Sequence, residues 1–240
     1  MSKRKRKKMI RSLAVVLISL TVFLVLEYYE NRPEWLNSIM GIESYDVSEI
    51  PEYSGKPYVI INDNKPEFDD KYLNDKSFEK YSNLDVLGRC GVAFANVSRD
   101  TMPKEERGEI GMIKPSGWKT VKYNIVEGKY LYNRCHLIGY QLTGENANDK
   151  NLITCTRSMN VDGMLDFENK IADYVDRTGN HVLYRVTPVF EGNNLLASGA
   201  FMEAYSVEDN GKGIEFYVYV YNAQDGITID YRNGESKLIN

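Results

Sequence analysis

The sequence predicts an α+β domain, a twisted antiparallel sheet carrying a strand–loop–strand–helix finger. Three observations predict it. Residues 182–190, 195–205 and 214–222 alternate strongly and are rich in β-branched and aromatic side chains, the pattern of consecutive antiparallel strands. From Val161 the apolar residues Met164, Phe167, Ile171, Tyr174 and Val175 recur at helical spacing, and Gly179 stops the run. Between residues 127 and 178 two short strand-like segments precede that helix, with a histidine closing the first and an asparagine opening the helix.

The elements follow in chain order. Lys3, Arg4, Lys5, Arg6, Lys7, Lys8 and Arg11 precede an uncharged apolar run over residues 12–26. A basic flank before an apolar run is an export signal, because lipid favours the run and the cytoplasm retains the cations. An uncleaved anchor over residues 1–29 is the expectation, although the run is shorter than the roughly 20 residues that span a bilayer. A cleaved signal peptide is the alternative, but no small residues follow the run. Either way the rest of the chain is exported. Residues 30–56 carry Pro33, Pro51 and several acids, and read as a lead-in to one domain over 57–240. Within it, 58–61 is a strand candidate, 62–85 is polar and irregular with one helical turn, and 86–97 is strand-like. Lys-Pro-Ser-Gly-Trp at 114–118 sets a turn. Residues 129–133 read as a strand, 134–142 as a turn or short helix closed by Gly144, and 151–156 as a second strand.

Composition sets limits. At 42% hydrophobic the chain can bury a core. Cys90, Cys135 and Cys155 allow at most one disulfide and one free thiol. No CxxC pair exists and only two histidines are present, which argues against a structural zinc. The net charge is −4, but the seven cations of the arm conceal −11 over residues 27–240. Domains that hold nucleic acid by neutralising phosphate are usually basic, so such a partner would need a local patch. Residues 114–129, with Lys119 and Lys122, and the nearby Arg134 are the candidates.

One stretch carries chemistry. His136 has an unperturbed pKa of about 6.5 and can accept a proton near neutral pH. A histidine after a strand is, by itself, most simply a packing or exposed residue. Its surroundings change that reading, because strand, loop, strand and helix in this order are the layout of a ββα-metal finger. Asn133-Arg134-Cys135-His136-Leu137-Ile138-Gly139-Tyr140 resembles the signature of the DNA/RNA non-specific endonuclease family, usually Asp-Arg-Gly-His-Leu. The similarity is strongest to DNA-entry and streptodornase-like nucleases of Gram-positive bacteria. Asn151 and Asn160 match the family's asparagine pair, nine residues apart, and Glu168 matches its helix glutamate. The resemblance spans roughly residues 85–235, including the turn at 114–118.

The resemblance implies metal-dependent hydrolysis of DNA, with RNA as a second substrate, at low sequence specificity and leaving 5′-phosphate ends. It implies His136 as general base and Asn160 as the direct protein ligand of one Mg²⁺, with Mn²⁺ as an alternative. Glu168 would reach the metal through water, Asn151 would hold the histidine or its loop, and Arg134 would contact phosphate or brace the motif. Lys119 and Lys122 are the further substrate contacts expected. No organic cofactor is expected, and the N-terminal segment would hold the domain outside the membrane. DNA uptake and degradation of extracellular nucleic acid are the roles that fit.

Two features test the carry-over. On an ideal helix Asn160 and Glu168 lie about 80° apart around the axis but about 12 Å apart along it, so irregular geometry near Gly163 or an intervening water is needed. The sequence also departs from the family. Asn133 replaces the aspartate and should leave His136 titrating lower than in Asp-containing relatives. Cys135 replaces a small residue and could pair with Cys90 or Cys155. Ala172 stands where some relatives carry an arginine, leaving Arg89, Arg157 or a lysine of 114–129 as replacement cations. With the −11 charge, these departures also fit a catalytically impaired surface module on the same fold. His181 reads as structural or exposed, and Trp118 as a core residue.

Overall fold

The computed structural model describes Ser19 and residues 50–239. Apart from Ser19, the expected arm and anchor (1–29) and the lead-in as far as residue 49 lie outside the described residues. Among the described residues, no helix is long and apolar enough to cross a membrane.

Six strands build the main sheet in the order β1 (Tyr58–Ile60), β8 (Glu215–Tyr221), β7 (Gly199–Ser206), β6 (Val182–Val189), β3 (Ala93–Val97) and β2 (Phe78–Tyr81). Every neighbouring pair is antiparallel. The register sets Val186 opposite Met202 and Met202 opposite Val218. Because side chains alternate across a strand, Tyr184, Val186, Met202, Ala204, Phe216 and Val218 share one face, which forms the main core. The opposite face is covered as well. Phe68 stacks on Phe94, Phe201 packs against Tyr217 and Tyr219, and Arg185 pairs with the buried Glu203 at 2.7 Å. Burial on both faces explains why β6 to β8 are so rich in large apolar side chains.

Helix α2 (Leu165–Thr178) lays Phe167, Ile171, Tyr174 and Val175 on that core. Gly179 ends it at φ 76°, donating its N–H to the Val175 carbonyl at 2.8 Å, a left-handed cap that favours glycine. A π-helical segment, Met159–Met164, leads into α2. It packs so closely on the sheet that a Cβ at Gly163 would stand 2.3 Å from Val220 Cγ1.

The finger stands apart as a two-stranded sheet, β4 (Tyr132–His136) against β5 (Leu152–Thr156), with α1 (Tyr140–Thr143) between them. Gly144 closes α1 at φ 66°. A third small sheet pairs β9 (Ile227–Asp230) with β10 (Glu235–Leu238).

Several expected boundaries are corrected. Residues 86–92 are not strand, because the Asp85 carboxylate accepts from the backbone N–H groups of Leu87 and Arg89 and folds them into a turn. The first finger strand is 132–136 rather than 129–133. Its polar residues conceal it, since Asn133, Arg134 and His136 face a cleft instead of a core. Residues 62–85 contain the edge strand β2, and β9 and β10 were not expected at all. These strands have four residues each, too few to display a period.

Candidate active site

The finger is fastened at its root and at its tip. Cys135 and Cys155 form a disulfide across β4 and β5, with their Cα atoms 5.9 Å apart. Cys90 stays free and buried, with burial pushing its thiol up to about 12. Asn151 is wholly buried and holds the chain that follows His136. Its Oδ1 accepts from the Ile138 N–H, its Nδ2 donates to the Ile138 carbonyl, both at 2.9 Å, and its own carbonyl accepts from the Leu137 N–H at 2.8 Å. One residue later the Gly139 N–H donates to Glu168 Oε1 at 2.9 Å, joining the finger loop to α2. A Cβ at Gly139 would come within 2.5 Å of Glu168 Oε2, so a larger residue here would have to displace that carboxyl group.

His136 ends β4 and is 7% exposed. Its Nε2 lies 2.7 Å from the Asn146 carbonyl, and its Nδ1 lies 3.3 Å from an Arg107 guanidinium nitrogen. A carbonyl can only accept and a guanidinium can only donate, so the neutral ring carries its proton on Nε2 and a lone pair on Nδ1. Burial lowers the histidine's pKa below its ordinary value. The Asn146 hydrogen bond opposes that shift and the Arg107 charge adds to it. Glu168 is also buried, which pushes its carboxyl up to about 8 despite the Gly139 N–H and the Arg107 charge.

A cleft of about 950 Å³ brings these groups together, and Arg107, Asn133, Arg134, His136, Arg157, Asn160 and Glu168 all line it. Asn160 and Glu168 reach the same cleft because Asn160 sits in the π-helical segment, whose irregular path includes Gly163. π-helical turns are frequent at functional sites. Arg134 lies over the Trp118 ring at 4.0 Å and donates to the carbonyls of Gly111 and Ile113, so it braces the loop above the cleft. Trp118 therefore lines the cleft while resting on a second apolar cluster that includes Leu131, Tyr132 and Leu196.

The other expected cations are placed differently. Lys119 and Lys122 are exposed and do not line the cleft; Lys122 meets only its rim, 4.4 Å from the Tyr130 ring. Arg89 is tied to Asp85 and to the carbonyls of Gly192 and Asn194, outside the cleft. Ala172 packs on the core. His181 pairs with Glu208 at 2.6 Å, also outside the cleft. Sequence reasoning missed Arg107, which stands among Glu105, Glu106 and Glu109 in what looks like a solvated charge run. It also missed Asn146, which acts through a carbonyl and leaves no side-chain signal.

A profile of DNA/RNA non-specific endonucleases matches residues 70–208. Among solved structures, NucA from Streptococcus agalactiae with magnesium ion bound is 26% identical, with a TM-score of 0.68, over 78% of this chain and 89% of that one. The same nuclease with no metal bound aligns at 25% identity and a TM-score of 0.68, over 88% of this chain and 98% of that one. The Sda1 nuclease with bound zinc ion is 27% identical, with a TM-score of 0.65, over 77% and 97% of the two chains.

Proposed function

Because this chain belongs to the DNA/RNA non-specific endonuclease family, and is a nuclease on that ground, we propose that His136 Nδ1 is the general base that takes a proton from the attacking water. The observation that carries this reading is the Nε2 hydrogen bond to Asn146, which fixes the tautomer and leaves the Nδ1 lone pair on the cleft side. Arg107 gives up its contact with Nδ1 when substrate enters, and its guanidinium then offsets charge on the phosphoryl oxygens. Asn151 acts by position, holding Leu137 and Ile138 so that the ring keeps its direction. Arg134 supports the site by fixing the loop at 111–118.

Asn160 would hold a divalent cation, Mg²⁺ or Mn²⁺, directly, and Glu168 would reach it through water. The donor set fits such an ion. One carboxamide and one carboxyl group on the cleft, with no cluster of three His, Cys, Asp or Glu among the described residues, suit a cation that keeps most of its waters, and the cation's charge would favour the ionised form of Glu168 against its burial. When bound, the ion would offset negative charge on the scissile phosphate and the leaving 3′-oxygen. Cleavage on that side leaves a 5′-phosphate. Contacts made by arginines to phosphate carry no base information, which accounts for low sequence specificity on DNA and on RNA.

We also propose that the domain works outside the membrane, tethered by its N-terminal segment, in DNA uptake or degradation of extracellular nucleic acid. The Cys135–Cys155 disulfide supports this, since such bonds persist in oxidising compartments.

The test is supercoiled plasmid incubated with the protein and with His136→Ala, in Mg²⁺, in Mn²⁺ and in EDTA. Degradation that needs both the metal and His136 is the expected result. Cleavage that survives His136→Ala would sink the assignment of the base, and no cleavage by the unaltered protein with either metal would favour the impaired-module alternative.

A further inference from the structure

We propose that Arg157 clamps a backbone phosphate of the nucleic-acid substrate, and that Glu127 holds its guanidinium until the substrate arrives. The proposal rests on the nuclease reading of the cleft and names a contact that reading does not require.

The three cleft arginines are engaged very differently. Arg134 is spent on the carbonyls of Gly111 and Ile113 and on the Trp118 ring. Arg107 faces His136. Among the described residues Arg157 has one side-chain hydrogen-bond partner, Glu127 Oε2 at 3.3 Å, and its Nε is buried with none. A buried N–H left unmatched is costly and is normally satisfied, so it points to an acceptor that arrives from outside. The root of Arg157 is fixed, because its backbone N–H donates to the Leu131 carbonyl at 2.8 Å directly after β5. Asn160 follows three residues later, so the two share a face of that turn and line the same cleft. No cation of α2 lines the cleft, since Lys170 sits over Phe167 and Ala172 is packed on the core.

The chemistry selects the ligand. A guanidinium offers a planar fork of donors that matches two phosphate oxygens. The existing pair is weak by comparison: the Arg157 and Glu127 side chains are 33% and 80% exposed, and ion pairs that open to water contribute little. A phosphodiester can therefore displace the carboxylate, and as the guanidinium turns from Glu127 toward the phosphate its Nε leaves its buried setting and gains an acceptor. Glu127 becomes an internal competitor, and removing its charge should favour the substrate.

The experiment measures binding apart from cleavage. A fluorescein-labelled DNA oligonucleotide is titrated with the His136→Ala protein in EDTA by fluorescence anisotropy, at about 0.1–0.4 M salt, where long-range fields are screened. Adding Arg157→Ala should weaken binding about tenfold and flatten the slope of log affinity against log salt by about 0.7–0.9, the share of one phosphate. Arg157→Lys should keep the slope while losing part of the affinity. Glu127→Gln, at an exposed position, should tighten binding about two- to fivefold. An unchanged slope in Arg157→Ala, weaker or equal binding in Glu127→Gln, or no binding by the His136→Ala protein overturns the proposal. Failure of the nuclease reading appears elsewhere, in the plasmid assay, and depends on neither Arg157 nor Glu127.

Discussion

At the scale of single residues the proposed mechanism rests on one imidazole, whose free nitrogen is turned to the cleft. Burial is the larger influence on His136, and the Arg107 charge acts in the same direction, so its pKa lies below the ordinary value near 6.5. A base works unprotonated, and a lowered pKa keeps Nδ1 free to a lower pH. The acidic limb of kcat/KM should therefore fall below about 6.5. Asn133 sharpens the test, because it lines the cleft and stands where the endonuclease signature that this stretch resembles has aspartate. Asn133→Asp introduces a carboxylate that favours the imidazolium, so its acidic limb should move to higher pH. Identical acidic limbs in the two proteins would rule out a charge effect of this position on the base.

The elements carry those residues by a few firm connections. Asn151 holds the loop after β4, Gly139 joins that loop to Glu168, and the disulfide ties β4 to β5. The disulfide spans a sequence separation of 20, and a loop of that size is worth roughly 3 kcal/mol of stability. For a domain of this size that is a fall in Tm of about 6–12 °C when Cys135→Ala and Cys155→Ala are combined. Thermal unfolding by circular dichroism checks it, and an unchanged Tm would mean that the bridge constrains nothing. Plasmid cleavage at 25 °C should survive the double substitution, because Asn151 fixes the loop independently of the bridge.

This division also explains what the sequence makes legible. His136, Asn151, Asn160 and Glu168 can be located because their motif and spacing resemble the signature of the DNA/RNA non-specific endonuclease family; without that resemblance a lone histidine after a strand reads as a packing or exposed residue. The long strands and α2 are legible because each presents a periodic apolar face to the core. Arg107 is hidden because it reaches the cleft from an irregular loop without any period, and the bounds of β4 are displaced because its cleft-facing residues are polar. The choice among Arg89, Arg157 and the lysines needs coordinates, since only the fold reveals which cations already have partners.

On the scale of the whole molecule, an acidic domain carries a basic cleft. Residues 57–240 hold 21 Lys/Arg against 27 Asp/Glu, a charge of −6, yet among the described residues the cleft is lined by Arg107, Arg134 and Arg157 with Glu168 as its one carboxyl group. The two act over different distances. Repulsion from the domain reaches a polyanion about 30 Å away in dilute salt but only about 10 Å away at 0.1 M, whereas contact between guanidinium and phosphate persists at closer range. Added salt therefore has opposite effects in two regimes. From about 0.01 to 0.1 M it should relieve the repulsion, so that kcat/KM on plasmid DNA stays level or rises. Above that range it should weaken the phosphate contacts, and the rate should fall. A basic nuclease lacks the first regime, because its field attracts substrate from the start. Initial rates across a salt series at fixed Mg²⁺ decide the matter. A steep fall beginning at the lowest salt would mean that the cleft's own field, rather than the domain's, governs the approach of substrate.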